Sequence, residues 1–533
     1  MELKTNVLYY GDNLDILRKY LPDESIDLIY LDPPFNSNRS YNVLFRESGG
    51  AGSGAQIEAF EDTWQWGQAA QGAYEQVVTG PHQKVARMLQ AMVEGLGHND
   101  VTAYLSMMAI RLVELHRVLK ATGSIYLHCD PTAGPYLRVL LDSVFGPRNF
   151  VNEVAWKRTS SHNDPKRFGR IHDTLLLYQK SSERVFNVLR RELDRAYVEK
   201  VYTQVDENGR RYRLGDISAP GGRGPVYEWH GVTRPWRFTK DNMEALYAMG
   251  RIKTYPDGRA MINAYVRYLD ESEGQPAQDW WDDVGVIAAP AKERLGYPTQ
   301  KPLALLDRIV SASSNPDDIV LDPFCGCGTA VHAAHKPGRR WIGIDITYLA
   351  IGLIRRRMED AFPGIAINEV GVPADLPGAA ALAAHDPYQF QFWAVDRLGA
   401  QPVSGEHRRG ADRGIDGVIP FVEGATNLKR VIVSVKAGHI EPAYVQQLKG
   451  VIEGQGAPIG VLVTLREPTR AMRTEAVSAG SYHSDFWNRD YPRIQLITAS
   501  ELLAGKRVEM PPQVSPFSQA AREAERGEQT TLI

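Results

Sequence analysis

Three short acidic motifs stand where apolar segments end, and each could do chemistry. The first is Asp32-Pro33-Pro34-Phe35, which follows the apolar run SIDLIYL at 25–31. Two consecutive prolines remove ladder donors and block an immediate helix, so the motif reads as a rigid loop at the carboxyl end of a strand. The exocyclic amine of adenine is a poor nucleophile because its lone pair is delocalised into the ring. A carboxylate and a backbone carbonyl, fixed in place, can accept its two hydrogens and localise that pair. Asp32 and the carbonyl of Pro33 suit those roles, and Phe35 offers a flat face to a base swung out of the duplex. Taken alone, Asp-Pro-Pro reads equally well as an ordinary turn.

The second motif is Asp322-Pro323-Phe324-Cys325-Gly326-Cys327-Gly328-Thr329, between an apolar strand and a helix. Gly326 and Gly328 let the backbone approach a ligand closely, and a helix amino terminus favours a carboxylate. The third is Asp345, which ends the strand WIGID. An acid at that point commonly binds ribose hydroxyls in doubly wound nucleotide sites. A nicotinamide site is disfavoured, because Val331 stands where a third small residue is expected. Cys325 and Cys327, with only His332 and His335 nearby, make a poor zinc set.

The elements that must position these motifs alternate. Strand-like NVLYY, Gly11-Asp12 and a helix start come first; SIYLHCD and PYLRVLLDSVF follow a helical stretch at 104–119. After 290 the alternation returns through ALLDRIVSASS, DDIVLDPF, TAVHAAHK, RRWIGIDI and LAIGLIRRRMEDAF. Such alternation predicts a doubly wound, mostly parallel α/β sheet. The chain has 533 residues, enough for several domains. Its net charge is −3, so any nucleic-acid surface must be local rather than global. Between 151 and 260 the apolar periodicity weakens, and 21 Lys and Arg stand against 14 Asp and Glu. Residues 48–56 (SGGAGSGAQ) read as a surface loop and 511–533 as a mobile polar tail. Three cysteines exclude a disulfide framework. No leader pattern and no membrane-length apolar run are visible, which points to the cytoplasm.

Taken together and in order, the motifs resemble those of the beta-class (permuted) amino-methyltransferases of DNA, over about residues 1–360. In that family the catalytic motif precedes the cofactor motif, with a target-recognition region between them. The resemblance implies a permuted Rossmann-like sheet, S-adenosylmethionine as methyl donor and double-stranded DNA as substrate. It places Asp12 on the adenine side of the donor, Asp322, Phe324, Gly326, Gly328 and Thr329 in the donor loop, and Asp345 at the ribose. Tyr297-Pro298-Thr299-Gln300-Lys301-Pro302 resembles the segment closing over the methionine end, which implicates Thr299 and Lys301. Trp156-Lys157-Arg158 with His172-Asp173 resembles the strand pair beside the target-base pocket. Asp at the first catalytic position goes mostly with N6-adenine in the family and Ser with N4-cytosine; enzymes on RNA or protein glutamine usually carry Asn there. Adenine is therefore expected, with cytosine the alternative. The amine attacks the methyl directly, so no cysteine nucleophile is expected.

The resemblance makes 157–290 the target-recognition region, inserted between catalytic (1–156) and donor-binding (291–375) parts. Arg158, Arg167, Arg234, Trp236 and Arg237 are its expected DNA contacts. From 386 to 510 a further α/β unit resembles the restriction-endonuclease-like fold, in its Mrr-like branch. Asp416 matches a metal-binding Asp and Lys436 the Lys of that branch, whereas Ser434 departs from its Glu or Gln. Magnesium at Asp416, and DNA cleavage, are thus one reading; a DNA-clamping module without cleavage is the other. A nuclease that uses the first part only to recognise its site, and a non-catalytic DNA binder, are further alternatives. A homodimer and a separate restriction subunit are the protein partners the resemblance allows, at the bacterial nucleoid.

Overall fold

The structure, a computed structural model, describes residues 3–512 apart from 35–39, 47–51, 62–65, 162–165, 167, 289–290, 292, 296, 298, 404–413 and 425–426, and for 40–46 and 52–61 the backbone alone. Phe35, Arg167, Pro298 and residues 513–533 of the expected tail therefore lie outside the described residues. By its contacts the chain forms two compact units, Met1–Asn187 with Asp279–Ile533, and Val188–Gln278.

The larger unit is built on a nine-stranded sheet: β1 (Val7–Tyr10), β2 (Ile26–Leu31), β3 (Leu119–Cys129), β4 (Phe150–Lys157), β5 (His172–Gln179), β6 (Trp280–Trp281), β7 (Ile319–Asp322), β8 (Arg340–Asp345) and β9 (Asn368–Val370). Their spatial order is β6-β4-β5-β3-β2-β7-β8-β1-β9. Only β5 runs antiparallel to its neighbours. This is the doubly wound, mainly parallel α/β sheet expected from the alternation.

Period-2 side-chain alternation explains why the strands are apolar throughout. In β2, Ile29 and Leu31 enter one core while Leu28 and Tyr30 enter the other. In β7, Ile319 and Leu321 face the first and Val320 the second. Helices 13–20, 83–96, 100–118 and 134–145 cover the first face; helices 303–313, 329–335 and 348–361 cover the second. The helix Asp100–Val118 starts at a capping box between Asn99 and Thr102 and buries Tyr104, Leu105, Met108, Leu112 and Leu115.

One local expectation fails. Residues 48–56 are not simply a loop, because Gly52–Glu61 is a strand paired with Ser40–Arg46. Small residues suggest flexibility in sequence, although Gly and Ala also fit a hairpin whose pairing is made by the backbone.

The Val188–Gln278 unit has a four-stranded antiparallel sheet and a hairpin of Val226–Trp229 with Val232–Pro235. Its core holds Ile217, Trp229, Trp236, Met243, Ile252 and Ala264. Trp236, expected among the DNA contacts, is instead fully buried, with its indole nitrogen donating to Tyr227 O at 2.9 Å. The large aromatic area is used for packing in a small unit with few apolar residues.

The C-terminal α/β part carries a five-stranded sheet: Gln401–Pro402, Gly417–Val422, Leu428–Lys436, Ile459–Thr464 and Ile494–Thr498. It shares a seam with helix 348–361 and Glu369. Asp396, on the helix Pro387–Arg397, is ion-paired with both Arg355 and Arg356 of helix 348–361, and Arg355 also meets Glu369 at 3.1 Å. Tyr348 N donates to Gln389 Oε1 at 2.9 Å, and the Tyr348 ring joins Phe390 and Trp393 in one core.

Removing one partner from a buried ion pair costs roughly 3–5 kcal/mol, because the other charge stays desolvated. Asp396→Ala is accordingly expected to uncouple the C-terminal part, so that calorimetry resolves two unfolding transitions where the native chain shows them merged. An unchanged single transition would show that the seam does not couple them.

Candidate methyl-donor and base site

The parallel register decides where the three acidic motifs meet. Ile29 stands opposite Leu321, Asp322 opposite Gly343, and Tyr10 opposite Asp345. The carboxyl ends of β2, β7, β8 and β1 are consecutive along one sheet edge. Gly11-Asp12, Asp32, Asp322 and Asp345 therefore converge, although 333 positions separate the first acid from the last. They line a cavity of about 680 Å³ together with Tyr30, Pro33, Pro34, Tyr297, Thr299, Lys301, Phe324, Gly326 and Thr329.

The glycine loop after β7 is held from below. Cys325 N donates to Ile344 O at 3.0 Å and Gly328 N to Cys325 O at 2.7 Å. Gly328 has φ +75°, and a Cβ there would lie 2.8 Å from Ile354. Gly326, at φ +49°, faces the Tyr297 ring. Only glycine combines left-handed backbone with this clearance. Asp345 accepts from Gly326 N at 2.9 Å through one oxygen and from the Thr347 amide and hydroxyl at 2.8 Å through the other. A carboxylate has about four acceptor positions, so capacity for a diol remains.

Electrostatics set the preference for charge. Burial pushes the Asp322 carboxyl well above the usual range, and Asp32 and Asp345 push it further; the amide of Phe324 at 3.1 Å opposes them. Burial also raises Asp345, against the bonds from Thr347 and Gly326. Against these acids stands Lys301, whose Nζ lies 2.5 Å from Asp32 Oδ2. The resemblance puts Lys301 at the donor; the structure places it on the Asp32 carboxylate at the same cavity. A cationic sulfonium fits such a surplus of carboxylates, so the residues present suit S-adenosylmethionine.

Two buried arginines escaped the sequence reading. Arg111 donates to both oxygens of Asp12 at 2.8 Å and to Asn13 Oδ1 at 2.6 Å, and Asn13 Nδ2 donates to Pro323 O at 2.8 Å. Arg111 thereby ties the first turn to the donor loop. Arg357 donates to Thr329 Oγ1 at 3.0 Å and Cys327 O at 3.2 Å. It falls on the apolar face of its helix, between Ile354 and Met358, and that misplaced charge was the available signal. Cys325 and Cys327 are buried free thiols, and His332 is bonded to Arg357, which leaves no zinc set there.

The other expected residues are dispersed. Arg158 lies 3.3 Å from Asp173 and keeps half its side chain exposed. In the Val188–Gln278 unit, Arg237 is exposed, while Arg234 is half-buried near the Trp236 ring. In the C-terminal part, the buried Asp416 carboxylate accepts from Val435 N at 2.5 Å and from Ser434 Oγ at 3.3 Å. Lys436 Nζ lies 5.1 Å from the Tyr444 ring. Among the described residues, a single acid engaged by backbone, with serine in place of a second acid, does not fit magnesium. Among the described residues, no group of three His, Cys, Asp or Glu side chains is placed to hold a metal.

A DNA methylase family model matches residues 26–351, and a model described as NACHT-associated inactive Restriction Endonuclease 1 matches 389–504. The Type II methyltransferase M.EcaI of Enterobacter cloacae is 34% identical over 262 residues, 48% of this chain and 57% of its own length. The StyLTI Mod subunit of a Type III restriction-modification enzyme of Salmonella typhimurium is 28% identical over 348 residues, 62% of this chain and 49% of its own. DNA adenine methyltransferase YhdJ of Escherichia coli K12 is 26% identical over 359 residues, 66% of this chain and 83% of its own. The chain thus spans about half the length of the first two relatives. A solved DNA modification methylase from Thermus thermophilus aligns with 68% of this chain and 99% of its own, at 15% identity and a TM-score of 0.34. No helix among the described residues is long and apolar enough to cross a membrane.

The raised Asp322 proton gives a signed prediction. The folded free protein holds this proton more tightly than the unfolded chain, so an ionised Asp322 destabilises the fold as pH rises. Binding a cation favours the ionised form. Affinity for S-adenosylmethionine should therefore increase as pH rises toward the raised pKa of Asp322, with proton release on binding. Asp322→Asn should raise the melting temperature of the free protein, yet weaken the sulfonium donor more than its neutral thioether product. Titration calorimetry showing pH-independent affinity would refute this.

Proposed function

Because the chain belongs to the DNA methylase family, we propose that it transfers a methyl group from S-adenosylmethionine to the N6 amine of adenine in duplex DNA. The observation that carries this reading is the convergence of the Asp32 loop and the Asp322 loop on one cavity at neighbouring strand ends. The donor supplies an electrophilic methyl on a sulfonium. Asp345 would hold its ribose, Asp12 its adenine side, Gly326 and Gly328 the backbone cradle, and Thr299 and Tyr297 the side near Lys301. Asp32 and the carbonyl of Pro33 accept the hydrogens of the target amine, and Lys301 holds Asp32 in place. The base is extruded from the duplex to reach them. Asp rather than Ser or Asn at position 32, and the adenine specificity in the name of the relative YhdJ, favour adenine over cytosine. Catalysis then rests on alignment of the amine with the methyl and on fixed acceptors.

The inserted region, with Arg158, Arg234 and Arg237, reads the target. We take the C-terminal part to grip DNA without cutting it. The unsuited donor set around Asp416 supports this, as does the word "inactive" in the description of the matching family. Any cleavage is then the work of a separate restriction subunit. The StyLTI relative, itself a Mod subunit, supports such a partner.

Sequencing the modified bases of DNA from an expressing host should show N6-methyladenine at one recurring sequence. Asp32→Ala should abolish it while S-adenosylmethionine binding persists. N4-methylcytosine at that sequence would overturn the choice of base, and unmodified DNA the activity. For the C-terminal part, Lys436→Ala should weaken DNA binding several-fold with no change in magnesium-dependent cutting, which should be nil in both proteins on a gel assay.

A further inference from the structure

Methyl transfer to an amine leaves one proton to be placed. The N–C bond forms as the C–S bond breaks, with its electron pair going to sulfur. The nitrogen then carries a positive charge until it loses one hydrogen. Asp32 is already occupied by Lys301 at 2.5 Å. A second polar group reaches the same wall. Tyr30 stands two residues before Asp32, on the same face of β2, and lines the cavity while only 2% exposed.

Tyr30 Oη lies 3.0 Å from His128 Nδ1, and His128 Nε2 lies 3.2 Å from Asp173 Oδ2. Arg158 Nη1 is 3.3 Å from that same oxygen. His128 is fully buried, directly follows Leu127, the partner of Leu31 in the β2–β3 pairing, and meets the Trp156 ring edge-on. The ionisable groups around it are Tyr30 and Asp32 from β2 and its loop, Asp173 from β5, Arg158 beyond β4, and Lys301 before helix 303–313. Burial and Lys301 lower the His128 imidazole from its ordinary value, against Asp173 and Asp32, so the ring is neutral at physiological pH. Burial works to raise Asp173, but the His128 bond and the charges of Arg158 and Lys301 outweigh it and keep the group ionised. Asp173 therefore takes the hydrogen on Nε2, and Nδ1 must accept from Tyr30. The tyrosine's one hydrogen points away from the cavity, which leaves its oxygen an acceptor there.

Resting on the methyl-transfer reading, we propose that Tyr30 and His128 form the proton acceptor of the reaction, with Asp173 as its fixed counter-charge. As nitrogen gains the methyl, Pro33 O keeps its bond to one of the two hydrogens, and the other, hydrogen-bonded to Asp32 beforehand, passes to Tyr30 Oη while the tyrosine's own hydrogen passes to His128 Nδ1. The imidazolium so formed is held by Asp173. When product leaves and water enters, Nδ1 returns its hydrogen to Tyr30, which releases the cavity-side hydrogen to water. One proton reaches solvent per methyl transferred, and every group is restored.

The test is the single-turnover methylation rate against pH, with unmethylated plasmid DNA and saturating S-adenosylmethionine. The native protein should lose rate below one apparent pKa, because His128 must start neutral. Tyr30→Phe should slow transfer about 100-fold or more, and His128→Gln as much, with loss of the acid limb and with donor affinity unchanged in both. Tyr30→Phe deletes a single oxygen, so it decides alone if His128→Gln melts early. Native methylation with both variants, or a stable Tyr30→Phe alone, within twofold and keeping the native acid limb would overturn the acceptor and leave the methyl-transfer reading intact. A native chain that transfers no methyl would overturn the reading itself.

Discussion

Mutual repulsion among carboxylates in a poorly solvated cavity is the constraint on which the site depends. The parallel register leaves Asp32, Asp322 and Asp345 at one sheet edge, Asp322 and Asp345 inside strand pairings and Asp32 directly after one. The surrounding structure holds that charge in place. Lys301 sits on Asp32, backbone amides on Asp345 and Asp322, and Arg111 on neighbouring Asp12. The site thus holds its acids in place before any ligand arrives, an arrangement that suits a cation.

The parts of this arrangement visible in the sequence were those with one-dimensional signatures. An acid directly after a continuous apolar strand announces a sheet edge, which made Asp32, Asp322 and Asp345 legible along with the α/β alternation. The parts that stayed hidden depend on long-range pairing. Arg111 binds a residue 99 positions away and Tyr30 one 98 away, and nothing local distinguishes them from helix and strand filler. Trp236 was misjudged because arginine-rich, aromatic surroundings suggest a surface, whereas a small unit needs every large ring for its interior. The hairpin through 52–61 was missed because pairing through the backbone leaves little imprint on small residues.

In the C-terminal part, Asp416 and Lys436 stand at one end of a strand pair, and Asp416 braces Val435 and Ser434. The seam through Asp396, Arg355 and Arg356 joins this part to the helix that carries Arg357, which supports the glycine loop at Cys327 and Thr329.

The position of β1 has a consequence for biosynthesis. This strand is flanked in the finished sheet by β8 and β9, both translated long after it, so Val7 must find Ile342 and Asn368. At about 5–20 residues per second, roughly 20–70 seconds elapse on the ribosome before either neighbour exists. For that interval an apolar strand with two open edges waits unpaired, a state prone to wrong partners. Slower, cooler growth and a plentiful supply of holding chaperones should therefore govern how much native protein a cell accumulates.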